Sequence, residues 1–124
     1  KPRALLFDEP TAHIDPAGRR DLIDRLVRLN EESGVTLVMV GHDMDELARF
    51  AGRLVIMDGG RKVADSAAAE ILTDATLLAR HRLDPPGTVE LCGLLAEASG
   101  SAVTPVLDEQ EALELFLSLM KSKG

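Results

Sequence analysis

The stretch Ala4–Asp15, ALLFDEPTAHID, constrains this chain more than any other. Four apolar residues, Ala4, Leu5, Leu6 and Phe7, run directly into two carboxylates, Asp8 and Glu9. A short unbroken apolar run reads as a strand covered on both faces, as parallel sheets require. Pro10 has no amide proton to give a ladder, so the strand must stop before it. The acids then sit at the carboxyl end of a buried strand, the edge where open α/β sheets bind ligands. Adjacent side chains on an extended backbone face opposite ways, so Asp8 and Glu9 are expected to serve different targets. Taken alone, the pair also fits a solvated acidic turn.

The residues beyond Pro10 narrow the choice. Asp15 and Pro16 form a good N-cap and first position for a helix running to Leu29. Its apolar positions, Leu22, Ile23, Leu26, Val27 and Leu29, recur at helical spacing. The Arg and Asp residues between them read as solvated surface. Ser33-Gly34 ends the helix, and Val35–Val40 is a second buried strand rich in β-branched residues. Strand, helix, strand implies a parallel pair. His42 then falls on the same sheet edge as the two acids.

The ordered series Asp8-Glu9-Pro10-Thr11, Ile14-Asp15-Pro16 and Gly41-His42-Asp43 resembles the second half of an ABC-type ATPase domain. On that resemblance Leu5–Glu9 is the Walker B strand, Thr11–Asp15 the D-loop and His42 the switch histidine. His13 departs from the small residue common in relatives at its position. The resemblance implies that Asp8 anchors Mg²⁺ beside the nucleotide phosphates and that Glu9 orients the attacking water. It further implies that His42 contacts the γ-phosphate, and that Asp15 carries communication between two such domains. The implied fold is α/β, a partial P-loop NTPase-like parallel sheet followed by a small C-terminal helical segment.

Further along, Met44–Phe50 reads as a short helix capped by Asp43, with Asp45 and Glu46 suited to its first turn. Arg53–Asp58 and Arg61–Ser66 are strands joined by Gly59-Gly60, a tight hairpin signal. This MDGGRKVADS hairpin also resembles the end of an ABC ATPase core. Ser66 is expected to cap a helix over residues 67–72. The core is expected to end near Thr73, giving domains 1–73 and 74–124.

In the tail, Thr76–His81 reads as a helix fragment and Arg82–Gly87 as a turn, because paired prolines break helices. Thr88 is expected to cap a helix to Ser99. Asp108 and Glu111 form a capping box for a last helix, Glu109–Lys121, with Leu113, Phe116, Leu117 and Met120 as its apolar stripe. The tail resembles the C-terminal segment of energy-coupling-factor transporter ATPases, which serve cobalt, nickel and vitamin importers. That resemblance implies a role in pairing two ATPase subunits, integral-membrane transporter partners, and a location on the cytoplasmic face of the membrane. The same stripe also fits a helical pair that merely covers the sheet.

Composition sets further limits. The net charge of −7 argues against a nucleic-acid surface, which needs clustered Lys and Arg. One cysteine, Cys92, excludes an intrachain disulfide, and its apolar neighbours suggest a small buried residue. The chain contains no Gly-x-x-x-x-Gly-Lys-Ser/Thr loop and no Leu-Ser-Gly-Gly-Gln signature. It therefore reads as the C-terminal half of a longer ATPase. ATP and Mg²⁺ are expected only together with the phosphate-binding half, and the segment alone is expected to be inactive. Sheet strands lost with that half would leave exposed strand edges, a hazard for swapping or aggregation. Two alternatives remain open: an ATPase of another ABC system, or a non-catalytic dimerisation or regulatory module.

Overall fold

A computed structural model describes residues 1–124 throughout. The chain divides into two compact units, Lys1–His42 and Asp43–Gly124. Each is described by itself.

The first unit is a strand–helix–strand arrangement. β1 (Ala4–Asp8) pairs in parallel with β2 (Thr36–Val40), in register from Ala4↔Thr36 to Asp8↔Val40. α1 (Pro16–Ser33) makes the crossover between them. Pro16 sits in its first turn, and Gly34 ends it in the left-handed conformation with φ 66°. The Gly34 amide donates to the Asn30 carbonyl at 2.9 Å, and Asn30 Nδ2 donates to the Val35 carbonyl at 2.7 Å. The helix thus stops where the second strand must begin. Ile23 and Leu26 of α1 and Val35 are buried, as the helical spacing requires.

The strand pair is not covered on both faces, contrary to the sequence expectation. Leu5, Phe7, Leu37 and Met39 are half-buried, whereas Leu6, Val38 and Val40 on the other face are exposed, Leu6 by 73%. One helix can shield only one side of a two-stranded pair. The apolar residues on the second side have no layer against them within this unit.

The second unit begins with α2 (Met44–Phe50), followed by the hairpin β3 (Arg53–Asp58) and β4 (Arg61–Ala67). Gly59 and Gly60 both take positive φ, 56° and 74°, the combination a tight two-residue hairpin needs. Short helices α3 (Ala68–Leu72) and α4 (Ala75–Arg80) come next, then α5 (Gly87–Ser99) and α6 (Glu109–Ser122). Three N-caps act through aspartate: Asp43 accepts from Glu46 N, Asp74 from Leu77 N and Asp108 from Glu111 N, at 3.1, 3.0 and 2.9 Å.

Two expected caps fall elsewhere. Ser66 remains in β4, where its hydroxyl donates to Glu70 Oε2, and Ala67 takes the N-cap position without a side-chain bond. Thr88 lies inside α5 and its hydroxyl donates to the Leu107 carbonyl at 3.4 Å. The start of α5 is held instead by a distant carboxylate: Gly87 N donates to Asp45 Oδ1 at 2.7 Å.

The expected boundary near Thr73 is not a break in packing. Leu78 of α4 is fully buried in one cluster with Met44 and Leu47 of α2, Leu54 and Ile56 of β3, and Ile71 and Leu72 of α3. Leu83 and Leu107 pack against the same cluster. Residues after Thr73 thus join α2 and α3 in burying the hairpin's inner face, which two strands alone cannot do. On α6 the buried face runs through Ala112, with Leu115, Phe116 and Leu119 half-buried. Leu113, Leu117 and Met120 of the expected stripe face outward instead, and Leu94 of α5 is exposed as well. Cys92 is buried and free.

Candidate functional site

The carboxyl edge of the β1–β2 pair carries three of the four residues singled out in the sequence. Asp8 is the last residue of β1, opposite Val40. Glu9 does not continue the extended backbone. It turns into the left-handed region at φ 45°, while its amide still donates to the Val40 carbonyl at 2.8 Å. The expectation that the two acids differ by simple strand alternation is thereby replaced. The sheet bond anchors Glu9, and the turn re-aims its side chain. A non-glycine residue held there costs roughly 1–2 kcal/mol, a cost that persists where the surroundings fix the geometry.

His42 lies two residues beyond the end of β2. Its Nδ1 lies 3.1 Å from Glu9 Oε1, so residues 33 positions apart form one pair. The pair is open to solvent, with the His42 side chain 82% exposed and that of Glu9 49%. An ionised carboxylate only accepts, so Nδ1 must carry the proton that bridges them. The outward Nε2 is then an acceptor in the neutral ring and a donor only in the charged one.

Asp15 is not part of this pair. It occupies the N-cap position of α1, with extended φ −64° and ψ 159°, yet its carboxylate makes no capping bond. The loop between Glu9 and α1 is a succession of turns: Ala12 N donates to the Glu9 carbonyl at 3.1 Å and Ile14 N to the Thr11 carbonyl at 3.2 Å. His13 takes φ 65° within it, a left-handed conformation in which His, like Asn and Asp, is enriched among non-glycine residues. A residue that the sequence pattern assigns to solvated surface buttresses this loop. Arg19 Nε donates to the Ile14 carbonyl at 2.8 Å. Helical periodicity carries no signal for such a contact, because it bonds to backbone and not to another side chain.

No group of three or more His, Cys, Asp or Glu side chains could enclose a metal here. A lone carboxylate such as Asp8 instead suits Mg²⁺, which keeps most of its waters and binds through one or two carboxylates plus substrate phosphates. No helix is long and apolar enough to cross a membrane.

The α/β fold that carries this edge matches part of a solved ABC transporter component. Among solved structures the chain resembles CbiO1 from Clostridium perfringens, described as part of the ABC transporter complex CbiONQ. The TM-score is 0.55 and the identity 28%, over 64% of this chain and 32% of that one. Its homologues are energy-coupling factor transporter ATP-binding proteins. The chain is 34% identical over 116 residues to EcfA1 of Caldanaerobacter subterraneus, 38% over 117 residues to EcfA of Methanoculleus marisnigri and 30% over 124 residues to EcfA2 of Clostridium perfringens. These alignments cover 94%, 94% and 100% of this chain but only 42%, 42% and 44% of the relatives. The chain thus spans under half the length of the curated relatives it matches. No family model matches it.

Proposed function

We propose that this chain is part of an ATP-hydrolysing subunit of an energy-coupling-factor importer, which couples ATP hydrolysis to uptake of a metal ion or vitamin. The observation that carries the reading is the contact between Glu9 and His42, 3.1 Å apart on the strand edge that also bears Asp8. The homology over nearly the whole chain supports it.

In this reading Glu9 orients and polarises the attacking water, and Asp8 offers one carboxylate to Mg²⁺. Bound Mg²⁺ would neutralise charge developing on the phosphate oxygens. His42 steadies Glu9 through Nδ1–H. Donation from Nε2 to a phosphate oxygen then requires the charged ring, because the neutral ring has a single N–H and Glu9 already receives it. Asp15 serves a second ATPase subunit across a shared interface. The outward row Leu113, Leu117 and Met120 on α6 is the surface we assign to pairing in the tail, 74–124. The assembly sits against integral-membrane transporter subunits at the cytoplasmic face. The chain carries no phosphate-binding Gly-Lys-Ser/Thr loop, so by itself it is expected not to turn over ATP.

The test is Glu9→Gln in the complete subunit with its partners. The amide keeps a polar group at this position but loses the basic carboxylate. ATP should remain bound while steady-state hydrolysis falls by about 100-fold or more, within the range for loss of a positioned base. Hydrolysis at the parent rate would refute the assignment of Glu9.

A further inference from the structure

The geometry points to Gly18 and Arg19 as positioning residues that hold Asp15 and its loop in place. This rests on the proposed role of Asp15.

Gly18 stands in the first turn of α1, three residues after Asp15. Glycine is a poor choice inside a helix, since it gives up more backbone freedom than any other residue. The surroundings explain its presence. A Cβ at position 18 would lie 2.6 Å from Ile14 Cγ2 and 2.8 Å from Asp15 Oδ1. Both distances are inside van der Waals contact, so any side chain there must displace the Ile14 methyl, the Asp15 carboxylate or both. The space where a Cβ would sit is therefore taken by the last two residues of the loop.

The carboxylate uses that space without capping the helix. An N-cap aspartate ordinarily accepts from an amide two or three residues on, which for Asp15 includes Gly18 itself. No such bond forms, although the Asp15 carbonyl still accepts from Arg19 N at 2.9 Å. The backbone is capped in register while the carboxylate stays exposed. Arg19 fixes the other side, its Nε donating 2.8 Å to the Ile14 carbonyl. Absence of a side chain at 18 and a long one at 19 together set where Asp15 points. A carboxylate bonded to the helix amides would be turned toward the helix and would spend part of its acceptor capacity there, leaving less for a second subunit.

The test uses Gly18→Ala, Arg19→Ala and Asp15→Ala, with the double variant Gly18→Ala/Asp15→Ala, in the complete assembled ATPase. Alanine is the better helix former, so a loss in Gly18→Ala cannot come from helix propensity. A misplacement on the order of 1 Å is enough to cost up to about 100-fold in rate. We expect Gly18→Ala to lower kcat by roughly tenfold on that basis, with KM for ATP little changed. In the Asp15→Ala background the same change should add much less. Amide exchange at Ile14 should quicken in both Gly18→Ala and Arg19→Ala, because the turn bond to the Thr11 carbonyl loses its support. Unchanged Ile14 exchange in both variants overturns the proposal. An equal fold loss with and without Asp15 overturns it too, since Gly18 would then act through something else. If Asp15→Ala alone leaves turnover intact, the functional role of Asp15 fails, and faster Ile14 exchange still supports the positioning of the loop.

Discussion

Leu78→Ala tests whether the helices after Thr73 belong to the same cooperative unit as the hairpin. Leu78 is 0% exposed and shares its cluster with Leu54 and Ile56 of β3 and with Ile71 and Leu72 of α3. Truncation to alanine removes three buried carbons, worth roughly 2.4 kcal/mol at about 0.8 kcal/mol per methylene. A rigid site adds a cavity penalty, which carries measured Leu→Ala costs to about 2.7–5.0 kcal/mol. Leu78 is contacted from several elements, so the surroundings cannot collapse simply, and we expect a loss of about 3 kcal/mol. At roughly 4–8 °C per kcal/mol for a small domain, the midpoint should fall by about 12–24 °C. The assay is thermal or urea unfolding of the chain, paired with amide exchange across residues 43–124. Protection should drop in β3 and β4 as well as in α4, because one cluster ties them. A loss below about 1 kcal/mol, well under the Leu→Ala range, would refute the reasoning. So would a hairpin whose exchange is untouched while α4 alone opens, and a division near Thr73 would then be restored.

Two more predictions concern surface groups. Asp65 receives Arg53 Nε and Nη2, both at 2.8 Å, and Lys62 Nζ at 3.0 Å, and these bonds hold its carboxyl well below the usual carboxylate range. The bonds to Asp65 in turn raise Arg53. A depressed carboxylate stabilises the fold fully above its unfolded pKa, and the stabilisation fades as pH falls from there toward the folded value. The stability difference between parent and Asp65→Asn should be constant near neutrality and shrink from about pH 4 downward, and a difference that stays flat to about pH 2 would contradict it. For pairing through the tail, deleting residues after Thr73 is a poor probe, because it would strip Leu78 from the core. Leu117→Glu on the outward face of α6 is a cleaner one. It should break self-association or subunit pairing in sedimentation while changing unfolding free energy by no more than about 0.5 kcal/mol; an unshifted assembly state would remove that face from the proposal.

Much of the fold was legible because local rules and tertiary packing agreed. Pro16, Gly34, Gly59-Gly60 and the capping residues Asp43 and Asp108 mark their elements where the structure has them. Ser66 and Thr88 failed as caps because strand pairing and a contact to Leu107 claimed them, and neither partner is visible from sequence neighbours. The outward turn of Leu113, Leu117 and Met120 was equally hidden. A helix with apolar residues on two sides does not say which side is inward. Here the buried side is the one that carries Ala112.

The site divides along the same line. That Glu9 and His42 would share an edge was implicit in a parallel pair with a helical crossover. That they would touch was not. It depends on Glu9 leaving the strand at φ 45° while keeping its bond to Val40. The identity of the acids is written in the motif, but their aim is set by backbone: by that turn for Glu9, and for Asp15 by a missing Cβ at Gly18 and the carbonyl contact of Arg19. A substitution that leaves every acid and the histidine in place can therefore still disarm the site, and Gly18 is where such a change should do the most with the fewest atoms.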